Sequence, residues 1–140
     1  MQVQPYLFFE GRCEEALAFY AKALGAEVTV MMRYKDSPTP QPPGDCAPMP
    51  GDNIMHANFR IGETQLMASD GMAQEPAAFK GFSLSITAPD DAGARRIFDA
   101  LAEGGQVQMP LAPTFFASSF GMVADRFGVS WMVIVPVPMP

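Results

Sequence analysis

Two periods of hydrophobic and polar positions run along this chain, and their succession occurs twice. "VQPYLFF" (Val3 to Phe9) is aromatic and β-prone and predicts a strand. From Cys13 to Gly25 the period lengthens. Ala16, Leu17, Tyr20 and Leu24 recur at helical spacing, and Gly25 is a suitable stop. "AEVTVMMRY" predicts a second strand. "IMHANFRI" (Ile54 to Ile61) alternates, and the turn at Gly62-Glu63 leads into "TQLMASD", which together predict a hairpin. The order then repeats. "GFSLSITA" (Gly81 to Ala88) alternates, with Phe82, Leu84 and Ile86 expected on the covered side. Asp90 to Gly105 predicts a helix with an apolar stripe of Ala94, Ile97, Phe98 and Leu101, ended by Gly104-Gly105. "QVQM" reads as a short strand and "PLAPTFF" as a proline-bearing connection. "SSFGMVAD" and "SWMVIV" predict a hairpin around Arg126 to Gly128.

Each half therefore reads β-α-β-β-β. Local echoes support a duplication: "AFYAKALGAEV" resembles "RIFDALAEGGQV", and Gly62 matches Gly128. The expected class is α+β, one domain over residues 1–140, with module one at 1–75 and module two at 76–140. One helix covers one face of each sheet and leaves the other bare, so two bare faces can enclose a cavity. Between the first module's second and third strands lies "KDSPTPQPPGDCAPMPGDN" (Lys35 to Asn53). Proline lacks an amide donor and fixes φ, so this stretch is a long loop, either a lid or a mobile connection.

Composition narrows the partners. The net charge is −6, and no basic run is present to neutralise phosphates, which argues against nucleic acid and anionic membranes. No apolar stretch approaches the roughly 18 residues of a membrane span. The N-terminus lacks the basic flank and apolar run of a signal peptide, so a cytoplasmic location is expected. Cys13 and Cys46 have no CxxC partner, and reduced thiols are expected rather than a disulfide or a zinc knuckle.

The stretches "PYLFFEGRCEEALAFY", "MHANFRIGETQLMASDG", "GFSLSI" and "MPLAPTFFASSFGMVADRFGVSWMV" resemble the vicinal oxygen chelate superfamily, and most closely its PhnB-like branch. That superfamily includes glyoxalase I, extradiol dioxygenases, fosfomycin-resistance enzymes and bleomycin-binding proteins. The resemblance implies paired β-α-β-β-β modules, a curved mixed sheet around a pocket, and a homodimer. The branch often carries a label tied to demethylubiquinone methyl transfer. The sequence gives that label little support, since "FEGRCEE" lacks the glycine spacing of a nucleotide loop.

Metal-dependent members place ligands on the first and last strands of each module. Carried onto this chain, those positions are Met132, Leu66 or Met67, Gly81, and Gln4 or Pro5. None is His, Glu, Asp or Cys, whereas hard and borderline divalent ions need imidazole, carboxylate or thiolate. The expectation is that the usual metal site is absent and that no cofactor is bound.

The only histidine is His56, which shares a strand face with Asn58 and Arg60. It reads either as a hydrogen-bonded sheet residue or as a ligand-orienting or acid/base group. Asp70 and Glu63 are candidate carboxylates for it, though Asp70 in "MASDG" and Asp125 read more simply as turn residues. Glu14 and Glu15 suit the helix dipole, and Cys13 reads as an inert small residue. The expected ligand-binding set is Tyr6, Phe8, His56, Asn58, Arg60, Ser83, Ser85, Phe116, Met122 and Met132, with Phe115 and Trp131 as further lining. The leading expectation is a metal-free binder of a small aromatic or amphipathic molecule. The alternative is an enzyme (lyase, isomerase, dioxygenase or transferase) using His56 with Arg60 or Asp70, or a metal at a displaced site.

Overall fold

The computed structural model describes residues 1–37, 50–72 and 76–138, and the chain divides into two compact units, Met1–Ala77 and Ala78–Pro140. Unit 1 runs β1 (Tyr6–Phe8), α1 (Cys13–Leu24), β2 (Glu27–Arg33), a single 3-10 turn (Tyr34–Asp36), β3 (Ile54–Ile61) and β4 (Thr64–Ser69). Unit 2 runs β5 (Leu84–Thr87), α2 (Asp91–Ala102), β6 (Gln106–Ala112), β7 (Ala117–Ala124) and β8 (Ser130–Pro136). The sheets are ordered β1-β4-β3-β2 and β5-β8-β7-β6, and in each the first pairing is parallel and the others antiparallel. This is the expected α+β architecture, a β-α-β-β-β unit used twice. Residues 38–49, most of the proline-rich loop and with it Cys46, lie outside the described residues.

The sequence periods explain the packing. On α1 the buried positions are Cys13, Ala16, Leu17 and Tyr20, one helical stripe. They meet Leu7, Phe9, Ala57, Phe59, Leu66 and Ala68, all buried, and the Tyr20 and Phe59 rings stack 6.3 Å apart. Gly25 ends the helix in the left-handed conformation (φ 69°), where a side chain is strained. Its N–H and that of Ala26 bond back to the Ala21 and Tyr20 carbonyls. On α2 the stripe is Gly93, Ala94, Phe98 and Leu101, over Ala117, Val123, Trp131 and Val133. A Cβ on Gly121 would sit 2.7 Å from the Phe98 ring, so the close approach of helix and sheet there requires glycine.

Three expectations need correction. β6 does not stop at Met109 but runs through Pro110 to Ala112. It is an edge strand with two register shifts, and an edge or bulge position tolerates the missing amide donor. β5 begins only at Leu84. Phe82 is 46% exposed and does not join Leu84 and Ile86 on the covered side. Trp131 is not cavity lining, because it is 2% exposed and its indole N–H donates to Asp125 Oδ2 at 2.8 Å.

Two buried carboxylates carry the polar work of the fold. Asp70, 4% exposed, does more than close its turn. Its Oδ1 accepts the Cys13 N–H at 2.8 Å, and its Oδ2 accepts the Ile54 N–H at 2.6 Å. It thus caps α1 from a distance, where the local cap residue Arg12 supplies no side-chain bond. Asp125 is 3% exposed. It accepts the Phe127 and Val129 N–H groups in addition to the Trp131 indole and so shapes the β7–β8 turn at Gly128.

Asp70→Ala leaves two buried N–H groups unpaired and is expected to cost about 3 kcal/mol or more in urea denaturation. Glu14→Ala removes only the exposed partner of Arg33 and is expected to cost under about 1 kcal/mol. Equal effects of the two substitutions would contradict this account.

Candidate functional site

The face of each sheet turned away from its helix is the open face. In unit 1, β3 sends Ala57 and Phe59 under α1 and His56, Asn58 and Arg60 to the open face. Tyr6 and Phe8 reach the same face from β1. The register sets one row as Tyr6–Met67–Asn58–Val30 across β1, β4, β3 and β2. This settles the ambiguity on β4: Met67 lies on the open face, and Leu66, 3% exposed, lies in the core.

Sequence reading placed Tyr6, His56 and Asn58 on the open face but did not find that they bond to one another. The Tyr6 hydroxyl lies 3.0 Å from His56 Nδ1, and His56 Nε2 lies 2.8 Å from Asn58 Oδ1. With Asn58 Oδ1 as the acceptor, a neutral imidazole carries its proton on Nε2, and Nδ1 then accepts from the Tyr6 hydroxyl. The Tyr6 ring is 4.9 Å from Phe8 and 5.5 Å from His56. Phe8 is 52% exposed, so this aromatic edge is open to a ligand. No linear spacing announces a bond between residues 50 positions apart. Only the β1–β4–β3 order makes them neighbours.

The other proposed partners of His56 are elsewhere. Asp70 spends both carboxylate oxygens on backbone amides, and Arg60 pairs with Glu27 at 2.6 Å. Cys13 is fully buried, and burial, then the charges of Asp70 and Glu14, push its thiol up to about 12. It is not a nucleophile. Glu14 and Glu15 are exposed partners of Arg33 and Arg12.

In unit 2 the corresponding row is Ser85–Met132–Met122–Met109. Ser85 stands where Tyr6 stands in unit 1, Met132 where Met67 stands, and Met122 where Asn58 stands. Ser83 bonds Ser130 at 2.8 Å near the start of β5. The Phe116 ring contacts Phe115 and Phe120, each at 5.2 Å, while Phe115 itself is 84% exposed. The open face of unit 1 is therefore hydrogen-bonding, and that of unit 2 is rich in thioether and aromatic groups.

These donors do not fit a hard divalent ion. Met67 and Met132 present soft thioethers, and Gly81 presents no side chain. Among the described residues no three His, Cys, Asp or Glu side chains gather closely enough to share a metal. A cleft of about 480 Å³ lies at the start of α1, lined by Gly11, Glu14, Arg33, Asp52, Asp70 and neighbouring residues. Its charges are matched internally, Glu14 with Arg33 and Asp52 with Lys35. The Lys35 hydrogen bond and charge hold the Asp52 carboxyl below the ordinary range. This cleft is a salt-bridged seam. Among the described residues no helix is long and apolar enough to cross a membrane.

The chain has a single histidine, so its ring nitrogens give unambiguous NMR signals. In nitrogen-15 spectra the Nε2–H tautomer is expected to predominate. Asn58→Ala is expected to bring in the Nδ1–H form, and a wild-type Nδ1–H imidazole would refute the assigned order of donors. In the folded protein Cys13 is expected to resist alkylation until denaturant is added, as read by mass spectrometry.

Comparison with known proteins places this geometry in a family. The family model described as 3-demethylubiquinone-9 3-methyltransferase matches residues 1–134. Protein YjdN of Escherichia coli is 37% identical over 145 residues, covering 100% of this chain and 99% of that protein. The crystal structure of PA1353 from Pseudomonas aeruginosa is 47% identical, with a TM-score of 0.82 over 97% of this chain and 98% of that one. A PhnB protein from Bacillus cereus is 26% identical, with a TM-score of 0.79 over 96% and 99%. At 13% identity and a TM-score of 0.63, the fosfomycin resistance protein FosX of Mesorhizobium loti shares the fold alone, over 98% of this chain and 92% of that one. With matched residues spanning nearly its whole length, the chain belongs to the PhnB-like family described as 3-demethylubiquinone-9 3-methyltransferase.

Proposed function

We propose that this chain binds a small aromatic or amphipathic molecule and does so without the hard-metal centre associated with its fold. The observation that carries the reading is the Tyr6–His56–Asn58 hydrogen-bond chain on a half-exposed sheet face. Asp70 and Asp125 take the buried amides of Cys13, Ile54, Phe127 and Val129, whereas the bonds joining Tyr6, His56 and Asn58 run between side chains. Polar groups held in line beside an aromatic pair are what a small-molecule site requires: an apolar surface with a few placed hydrogen-bonding groups. Tyr6 and Phe8 supply the flat surface. The Tyr6 oxygen, its own proton committed to His56, offers lone pairs to a ligand donor. Ser83, Ser85, Phe116, Met122 and Met132 extend the same preference in unit 2, with methionines that adapt to varied shapes. The family's description names a demethylated quinone, itself flat and oxygen-bearing, which agrees with this ligand class. The homodimer implied by the resemblance is part of the proposal and is read directly by light scattering.

A second reading rests on the same bond. A phenol on imidazole Nδ1 can pass its proton to the ring while accepting one from a bound substrate, which is general acid–base chemistry. That reading makes the chain an enzyme of the lyase, isomerase, dioxygenase or transferase type, with Tyr6 rather than Arg60 or Asp70 as the partner of His56.

The test is a thermal-shift screen of untagged protein against phenols, quinones and phosphonates, since a ligand that binds only the folded state raises the midpoint. Tyr6→Phe and His56→Ala are each expected to weaken the best hit by roughly tenfold, about 1.4 kcal/mol. Metal analysis is expected to find no stoichiometric zinc, manganese or nickel. Turnover that disappears in His56→Ala while affinity persists would favour the enzyme. Ligand affinity unchanged in both variants would overturn the site.

A further inference from the structure

Three methionines stand in one cross-strand row on the open face of unit 2. The register pairs Met109 with Met122 and Met122 with Met132, and Ser85 ends the row on β5. Met122 and Met132 oppose each other in a regular stretch of ladder, with Cβ atoms about 5 Å apart, and Met109 opposes Met122 between two register shifts of β6. An extended methionine side chain spans most of that gap, so neighbouring sulfurs can meet over the row. Met122 and Met132 are half-buried and Met109 is 45% exposed, so a small ion can reach all three.

The adjoining row shows what packing selects in this sheet. Val107, Val123 and Trp131 are β-branched or aromatic, as strands favour. The methionine row faces away from α2, so none of its members fills a gap under the helix. The three have in common a soft, uncharged, polarizable sulfur donor. Such donors select copper(I) and similar soft ions over magnesium, calcium or manganese, which prefer oxygen.

We propose that Met109, Met122 and Met132 form a three-thioether site for a soft monovalent cation, copper(I) or its analogue silver(I). Met122 and Met132 also belong to the unit 2 lining of the ligand reading, but that reading is carried by the Tyr6–His56–Asn58 chain of unit 1, and soft-ion binding is read apart from it by the methionine signals. Binding is simple coordination and requires no redox step.

The experiment uses full-length Cys46→Ser protein, which removes a thiol that would compete for the ion. Silver(I) is titrated into protein carrying labelled methionine methyl groups. Of the 11 methionines, Met109, Met122 and Met132 are expected to shift together and saturate at about one equivalent. Copper(I) affinity, measured against a chromophoric chelator, is expected to fall at least roughly tenfold in Met122→Leu and in Met132→Leu. Leucine nearly conserves volume, and circular dichroism checks the fold. Met109→Leu, at the exposed edge, gives the same reading should a central variant misfold. Zinc(II) is expected to move none of the three signals. Unchanged copper(I) affinity in the leucine variants, or shifts that do not saturate and involve other methionines instead, would overturn the proposal.

Discussion

A four-stranded sheet with one helix can hide only one of its faces. That constraint organises both units. Strand side chains alternate between faces, so every second residue is committed to the helix and the rest are released from core duty. Along β7 and the residue that follows it the rule is visible without a break: Ala117, Ser119, Gly121, Val123 and Asp125 are buried, and the residues between them are half-exposed. Whatever this protein binds, its open faces are where sequence is free to vary without dismantling the core.

The polar residues divide along the same line. Asp70 and Asp125 are nearly inaccessible and spend their oxygens on amides and on the Trp131 indole. They hold the helix start and the turn. Tyr6, His56 and Asn58 bond to one another on the open side, satisfying no backbone group in the bonds that join them. A buried carboxylate looks catalytic by type, yet here its geometry is structural. The half-exposed imidazole instead bonds to other side chains of the open face.

Duplication has been followed by divergence at matched positions. The row Tyr6–Met67–Asn58 in unit 1 corresponds to Ser85–Met132–Met122 in unit 2. A methionine persists in the middle of both rows. Its flanks became hydrogen-bonding in the first unit and, on the β7 side, thioether in the second. The shared scaffold thus presents two surfaces of different chemistry.

Periodicity alone determined the elements, their order and their duplication, because strand and helix burial imprint periods of two and of about 3.6 on the chain. It also placed His56, Asn58 and Arg60 on one face and Ala57 and Phe59 on the other. It missed where β6 ends, because an edge position tolerates Pro110. It left Leu66 and Met67 undecided, because a turn fixes register only once its conformation is known. The tertiary structure alone joined Tyr6 to His56 and turned Asp70 from a turn residue into the cap of α1. Those contacts cross 50 and 57 positions. Strand order creates them, and no local pattern can carry them because the residues involved become neighbours only after the sheet has formed.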